Sequence, residues 1–140
     1  MKILLAVDGS PFTKRMLAWL TTHEEWLSTP HEFTVLTVVP SIPPHAASMF
    51  SAEQLKSYYD DTAEGIFKPI RKFTAKHDLA TNYVTKVGHA AEVIAKMADK
   101  GKHDMIMMGS HGHDNLLNLI TGSVATQVLA RSKLPVLLVR

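Results

Sequence analysis

The feature that most constrains this 140-residue chain is a glycine-spaced stretch that follows a short apolar run. Met105 to Met108 has the length of a buried strand, and Gly109 ends it. A polar turn follows, and after a second break at Gly122-Ser123 apolar residues recur at helical spacing. This pattern predicts a strand that ends in a loop, which then leads into the start of a helix.

The glycines and the helix start in this stretch suit a bound anion. Gly109, Gly112 and Gly122 would allow positive φ or a close approach of the backbone to a ligand. Unpaired N–H groups at a helix N-terminus and the helix dipole both favour negative charge. The hydroxyl groups of Ser110 and Ser123 add hydrogen-bond donors. The stretch therefore predicts a phosphate-binding loop between the fourth strand and the last helix.

Apolar runs that alternate with helical segments predict an α/β fold. The expected strands are Ile3–Val7, Phe33–Val39, Thr81–Val87, Met105–Met108 and Val136–Val139. The expected helices are one from Pro11 that includes Leu27, one over residues 52–77 that is interrupted or kinked near Pro69, one over 89–100 and one over 123–131. Residues 41–51 are expected to form a loop. We therefore expect a single doubly wound domain over residues 1–140, a parallel sheet with helices on both faces.

Composition excludes several classes of function. The formal charge is only +2, so there is no broad electrostatic basis for binding nucleic acid or an anionic membrane. The absence of cysteine excludes a disulfide scaffold and a thiol nucleophile. The first apolar run ends at Asp8 after five residues, too short for a signal peptide or a membrane span. We expect a cytoplasmic protein with no nucleic-acid partner and no membrane insertion.

The common phosphate and phospho-acceptor motifs are missing. There is no G-x-x-x-x-G-K-[ST] sequence, and the first strand is followed by Asp8-Gly9-Ser10-Pro11 rather than G-x-G-x-x-G. A receiver domain would need an acceptor aspartate at the end of its third strand, where this chain has Lys86-Val87-Gly88. These classes are therefore disfavoured.

The spacing Gly109-x2-Gly112-x9-Gly122-Ser123 resembles that of the universal stress protein family. Ala6-Val7-Asp8-Gly9-Ser10, Gly88-x-x-Ala91-x-x-Ile94 and the terminal Pro135–Arg140 also fit the family pattern, so the resemblance covers residues 2–140. It implies five strands in the order 3-2-1-4-5. In this family an intact glycine motif marks the members that bind ATP, and the motif is intact here.

The resemblance also implies which residues would hold the nucleotide. The glycines and Ser123 would contact phosphates and ribose, Asp8 would accept from a ribose hydroxyl, and apolar strand ends would line the adenine slot. These residue types suit those roles, although the glycines could serve loop geometry alone and Asp8 could cap its own turn. The expected nucleotide-binding residues are Ala6, Val7, Asp8, Val38, Met108, Gly109, His111, Gly112, Gly122, Ser123, Val124 and Ala125.

The ligand implied by the resemblance is ATP or another adenine nucleotide, with Mg²⁺ or Mn²⁺ held by its phosphates, in a regulatory stress-response protein. Slow ATP hydrolysis or nucleotide processing at the same site is one alternative, and a partner-binding module without nucleotide is another. No catalytic residue is expected, because adjacent residues such as Ser110, His111 and Asp114 seldom point at one atom and no arginine lies in the loop.

Histidines near the loop raise the question of a metal site. His111 and His113 are two residues apart, and His89 and His103 are nearby in sequence, but no acidic or cysteine ligand has clear spacing to complete a site. We therefore expect a solvated loop rather than a metal centre.

The last strand predicts an interface. Val136, Leu137, Leu138 and Val139 are all apolar and would lie at a sheet edge, which is prone to aggregation unless covered. Pairing with the same strand of a second subunit covers the edge and gives a closed homodimer, as is common in the family. A regulatory protein partner is also expected.

Overall fold

The computed structural model describes residues 1–28, 30–113 and 120–140. Within these ranges the chain forms a parallel five-stranded sheet in the order β3-β2-β1-β4-β5, which confirms the predicted fold class and strand order. The strands are β1 (Lys2–Ala6), β2 (Glu32–Val39), β3 (Thr81–Val87), β4 (Met105–Gly109) and β5 (Val136–Val139). The helices are α1 (Pro11–Thr22), α2 (Glu24–Ser28), α3 (Pro44–Ala47), α4 (Ala52–Lys76), α5 (Ala90–Lys100) and α6 (Ser123–Arg131).

Both faces of the sheet are buried, as its continuous apolar strands require. On one face Ile3 and Leu5 of β1 pack in a cluster with residues of α1 and α4, such as Met16 and Phe67. On the other face Leu4 belongs to a second cluster with residues of α5 and α6. Helices α1, α2 and α4 therefore cover one face of the sheet, and α5 and α6 cover the other.

The chain changes direction in the sheet between β1 and β4. After β1, the connections lead outward through β2 to β3, and after β3 the chain crosses back to β4 and then β5. The helices on either side of this point diverge, which opens a crevice at the carboxyl ends of β1 and β4. The ends of the first and fourth strands therefore face the same crevice.

Two local predictions were wrong, and one of two alternatives for a third is excluded. Leu27 does not belong to the first helix, because α1 ends at Thr22 and His23 separates it from α2. The segment 41–51 contains the short helix α3, which begins at Pro44. The predicted helix over 52–77 is present as α4, which continues through Pro69 and so excludes the interruption, while the kink near Pro69 stays a prediction. Its amphipathic face packs against the sheet through residues such as Phe67 and Ile70.

Candidate functional site

A cavity of about 450 Å³ opens at the carboxyl ends of β1, β2 and β4. This volume is within the range usual for small-molecule sites. All twelve residues that the sequence singled out lie around this cavity: Ala6, Val7, Asp8, Val38, Met108, Gly109, His111, Gly112, Gly122, Ser123, Val124 and Ala125. They come from four separate segments of the chain, and the strand order brings them together.

Sequence reasoning missed ten further residues of the cavity wall. They are Thr13, Leu36, Thr37, Val39, Pro40, Thr62, Ile66, Ala90, Ile94 and His113. Three of them, Leu36, Thr37 and Val39, are neighbours of Val38 on β2. They would have been included if the predicted adenine slot had been extended along that strand. Thr62 and Ile66 belong to α4, whose position over the cavity depends on long-range packing that no local pattern reveals.

Asp8 both caps its own turn and faces the cavity. Its Oδ1 accepts hydrogen bonds from the Ser10 N–H (2.9 Å) and the Thr13 hydroxyl (3.0 Å). Its Oδ2 lies toward Gly112, where an added Cβ would come within 2.7 Å of that oxygen. The side chain is therefore held in one orientation by its own turn, while its second oxygen points toward the loop that follows β4.

The three motif glycines permit close packing within the protein. A Cβ at Gly109 would lie 2.5 Å from the Cβ of Phe12, and one at Gly122 would lie 3.0 Å from the Cα of His111. Among the described residues, the glycines with positive φ are Gly9 and Gly88, so the motif glycines do not take the first of the two alternatives predicted for them, positive φ. Their small size is needed because backbone and neighbouring side chains meet at these positions.

Helix α6 presents its N-terminus to the cavity. Its first helical hydrogen bond runs from the Thr126 N–H to the Gly122 carbonyl (3.0 Å), so the amides of Ser123, Val124 and Ala125 have no carbonyl partner within the helix. The N-cap residue, Gly122, has no side chain with which to cap this end. The Gly122 amide itself donates to the Ser110 carbonyl (2.7 Å), so it is not one of the unpaired N–H groups expected at the helix start. The amides at this helix start that have no partner within the helix are therefore those of residues 123–125.

Two histidines border the same region. The Nδ1 of His111 lies 2.9 Å from the Ser110 Oγ, and its ring centroid is 5.0 Å from that of Phe12. The Nε2 of His113 lies 2.6 Å from the Asp8 carbonyl oxygen, which fastens the loop after β4 to the turn after β1.

Ser110 is only 1% exposed, so its hydroxyl is not accessible as a nucleophile. Asp114, the third of the adjacent residues considered for catalysis, lies outside the described residues.

The histidines do not assemble a metal site in the part of the chain that the structure describes. No group of three His, Asp or Glu side chains is close enough there to hold an ion. His103 is buried just before β4, at the opposite end of that strand, and His89 is the N-cap residue of α5.

Among the helices formed by residues 1–28, 30–113 and 120–140, none is long and apolar enough to cross a lipid bilayer.

The sheet, its helices and this cavity define a doubly wound α/β protein with a cavity at the point where strand order reverses. The universal stress protein family matches the chain over residues 1–140. The chain belongs to that family.

Known relatives agree with this assignment. The chain is 27% identical over 139 residues to universal stress protein Slr1230 of Synechocystis sp., a match that covers 99% of this chain and 42% of that protein. It is 33% identical over 87 residues to universal stress protein MJ0577 of Methanocaldococcus jannaschii, covering 62% of this chain and 54% of that protein. The chain thus matches about half the length of each of these two relatives.

Solved structures show the same fold. The structure of MJ0577 superimposes with a TM-score of 0.83 at 28% identity, over 99% of this chain and 94% of that one. An Arabidopsis thaliana universal stress family protein with AMP bound has a TM-score of 0.70 at 16% identity, over 99% and 90% of the two chains. A universal stress protein in complex with cAMP has a TM-score of 0.72 at 17% identity, over 100% and 97%.

Proposed function

We propose that this protein binds an adenine nucleotide in the cavity between β1 and β4 and acts as a regulatory module in a stress response. The observation that carries the proposal is the pairing of two features around one cavity. A fixed carboxylate, Asp8, suits a ribose diol, and the amides of residues 123–125 suit a phosphate. Structural relatives with bound AMP and cAMP support the ligand class.

The remaining cavity residues suit the other parts of the nucleotide. Ala6, Val7 and Val38 at the strand ends offer an apolar wall for the base, and Met108 extends this wall. Gly109, Gly112 and Gly122 keep the loop close to Asp8 and α6, and His111 lies beside them. A Mg²⁺ or Mn²⁺ ion would be held by the phosphates of the nucleotide, because the described side chains form no three-ligand cluster.

The test of nucleotide binding is a thermal shift series with ATP, AMP and cyclic AMP, with and without magnesium. A ligand that binds only the native state raises the melting temperature as its concentration passes the Kd. Gly122→Val should abolish the shift, because a side chain there pushes against the backbone of Ser110 and His111. Gly65→Val is the matched control: the same substitution on an open face of α4 should leave the shift in place.

Each outcome separates two of the candidate functions. A shift that is lost in Gly122→Val and kept in Gly65→Val supports a nucleotide site in this loop. No shift with any adenine nucleotide would refute the proposal and favour a module that binds a protein partner through another surface.

We propose binding rather than efficient turnover. Ser110 is buried, and residues 105–130 contain no lysine or arginine to offset charge in a phosphoryl-transfer transition state. Phosphate release from ATP should therefore stay close to background. Release that is well above background and is lost in Gly122→Val would favour the alternative, an ATPase or nucleotide-processing enzyme.

We also propose that the regulatory function depends on the formation of a homodimer through β5. β5 lies at one edge of the sheet and consists of Val136, Leu137, Leu138 and Val139. Pairing of this strand with its copy in a second subunit would give a homodimer, and a nucleotide bound nearby could bias dimer formation or the docking of a regulatory protein.

A further inference from the structure

We propose that a second copy of this chain docks on the outer face of α4, with the two α4 helices antiparallel and crossing at Gly65. This contact is separate from the β5 edge, so both contacts can form in one assembly, and it does not require a bound nucleotide. It is inferred from the arrangement of charge, an exposed aromatic ring and a glycine along the helix.

The two halves of α4 carry opposite charge. Residues 53–64 contain four carboxylates and one lysine, whereas residues 65–76 contain three lysines, one arginine and no carboxylate. The helix dipole favours such charges only in the first and last turns. Asp61 and Lys68 lie near the middle of this 25-residue helix, so the dipole gives them little stabilisation. A second α4 that runs in the opposite direction presents the complementary pattern of charge.

Part of this charge is neutralised within the helix. Lys56 pairs with Asp60 at 2.6 Å, and Arg71 pairs with Glu64. The charged residues of α4 that form no ion pair in the described part of the chain are Glu53, Asp61, Lys68, Lys72 and Lys76. Carboxylates and ammonium groups thus remain available to a partner, and they remain on opposite halves of the helix.

One exposed stripe carries several of these charges beside an aromatic ring. At 3.6 residues per turn, Tyr58, Asp61, Lys68 and Lys72 all lie within about 60° of Gly65 around the helix axis. We call these five residues the outer stripe. Tyr58 is 51% exposed although its ring is large and mostly apolar. The buried residues of the helix lie on the opposite side: Ala63, Phe67, Ile70 and Thr74.

A two-fold axis at Gly65 brings complementary groups of the two outer stripes together. At a rise of about 1.5 Å per residue, Tyr58 and Lys72 are each roughly 10.5 Å from Gly65 along the helix, and Asp61 and Lys68 are roughly 6 and 4.5 Å from it. Asp61 of each copy therefore faces Lys68 of the other copy. Lys72 of each copy faces the Tyr58 ring of the other, a cation–π contact. Each contact occurs twice because the interface is isologous.

Gly65 allows the two helices to approach closely. After proline, glycine is the least favourable residue in a helix interior. A Cβ at position 65 would meet nothing within 4 Å, so no side-chain packing within the chain requires a glycine there. The distance between two packed helices depends on the side chains at their crossing point, and it is shortest where these are small. A glycine at the two-fold axis therefore fits a close crossing.

An engineered disulfide tests the crossing point, because the chain contains no cysteine of its own. Gly65→Cys should form an intermolecular disulfide under mild oxidation, since two Cα atoms at the axis can come within the roughly 4.4–6.8 Å that a disulfide spans. Ala75→Cys is the matched control, exposed on the same helix. Its two copies would be roughly 30 Å apart along the antiparallel pair.

Gly65→Cys should cross-link about tenfold faster than Ala75→Cys, because pairing raises the effective concentration of the thiols at the axis. Equal rates in the two variants would overturn the proposal.

A pair of charge reversals tests the register by sedimentation equilibrium in about 0.05 M salt, where screening is weak. Asp61→Lys and Lys68→Asp each place like charges opposite one another. Each variant alone should pair about tenfold more weakly than the wild type, since the contact occurs twice and an exposed ion pair contributes about threefold. An equimolar mixture of the two variants restores Asp–Lys pairs between unlike chains, so it should associate as the wild type does.

Recovery in the mixture excludes misfolding as the cause of the loss, and the β5 strand is the same in every sample. If either variant alone associates like the wild type, or if the mixture remains dissociated, the outer stripes do not face each other and the proposal is wrong.

Salt separates this contact from the one proposed at β5. At about 0.5 M salt the α4 contact should be lost, because its charges are exposed and screened. A contact through the backbone and apolar side chains of β5 should persist. Association that is the same in low and high salt would overturn the proposal for α4.

Discussion

At the scale of single residues, the contact between Asp8 and Gly112 determines the geometry of one end of the cavity. The Asp8 carboxylate is held in place, because its Oδ1 accepts hydrogen bonds from the Ser10 amide and the Thr13 hydroxyl. A Cβ at position 112 would come within 2.7 Å of its Oδ2. Either the carboxylate or the loop must then move, and both border the cavity.

We therefore expect Gly112→Ala to weaken nucleotide binding by about tenfold, the loss associated with one hydrogen bond to a charged group. The measurement is the Kd for AMP by calorimetry. Gly65→Ala is the control: a Cβ there meets nothing within 4 Å, and alanine in a helix interior should stabilise the fold by about 1 kcal/mol without changing the Kd. Unchanged affinity in Gly112→Ala would show that the carboxylate does not contact the ligand.

At the scale of elements, a capping box stabilises the N-terminus of helix α4. The Ser51 hydroxyl accepts from the Gln54 N–H (3.1 Å), and the Gln54 side chain accepts from the Ser51 N–H (2.9 Å). This reciprocal pair satisfies two backbone donors that the first turn would otherwise leave unpaired. The helix carries Thr62 and Ile66 to the cavity wall, so its position matters for the site.

Ser51→Ala should lower the free energy of unfolding by about 1 kcal/mol, because alanine cannot accept from the Gln54 amide. Chemical denaturation would measure this loss, and Ser51→Asp, which retains an acceptor, should recover most of it. A loss in both variants would mean that the cap contributes little and that Ser51 matters for another reason.

The accuracy of sequence-based prediction differed between elements for identifiable reasons. The sheet was predictable because apolar runs such as 3–7 are long enough to indicate buried strands. Strands that alternate with helices along a chain can form only a few sheet topologies. The boundary between α1 and α2 was missed because apolar residues continue at helical spacing past His23. The sequence could not decide between positive φ and close approach at the motif glycines, because residue type does not reveal which atoms lie opposite. In this chain those atoms belong to Phe12, Asp8 and His111.

At the scale of the whole molecule, the open edge of β5 determines how two copies can meet. The amide of Ile106 in β4 donates to the Pro135 carbonyl (2.9 Å), and the amide of Ser110, just after β4, donates to the Val139 carbonyl (2.8 Å). Since neighbouring residues of a strand direct their backbone groups to opposite sides, the N–H groups of Val136 and Leu138 point to the open edge. A second strand that docks on this edge would bond to those groups.

We expect hydrogen exchange at Val136 and Leu138 to slow as protein concentration rises, in step with a doubling of mass in light scattering. Tyr83 and Thr85 on β3, at the opposite edge of the sheet, serve as internal controls whose exchange should not change with concentration. A monomeric mass at all concentrations, with fast exchange at both edges, would contradict dimerisation through β5.

The hydrogen bond between His113 and the Asp8 carbonyl joins residues 105 positions apart in the chain. The cavity therefore does not exist until α6 has been synthesised and β4 has paired with β1. A nascent or partly unfolded chain has no place for the ligand, so the ligand can stabilise only finished molecules. Under the proposed nucleotide binding, the concentration of the ligand would influence how long each copy survives quality control, independently of any signal that the bound form transmits.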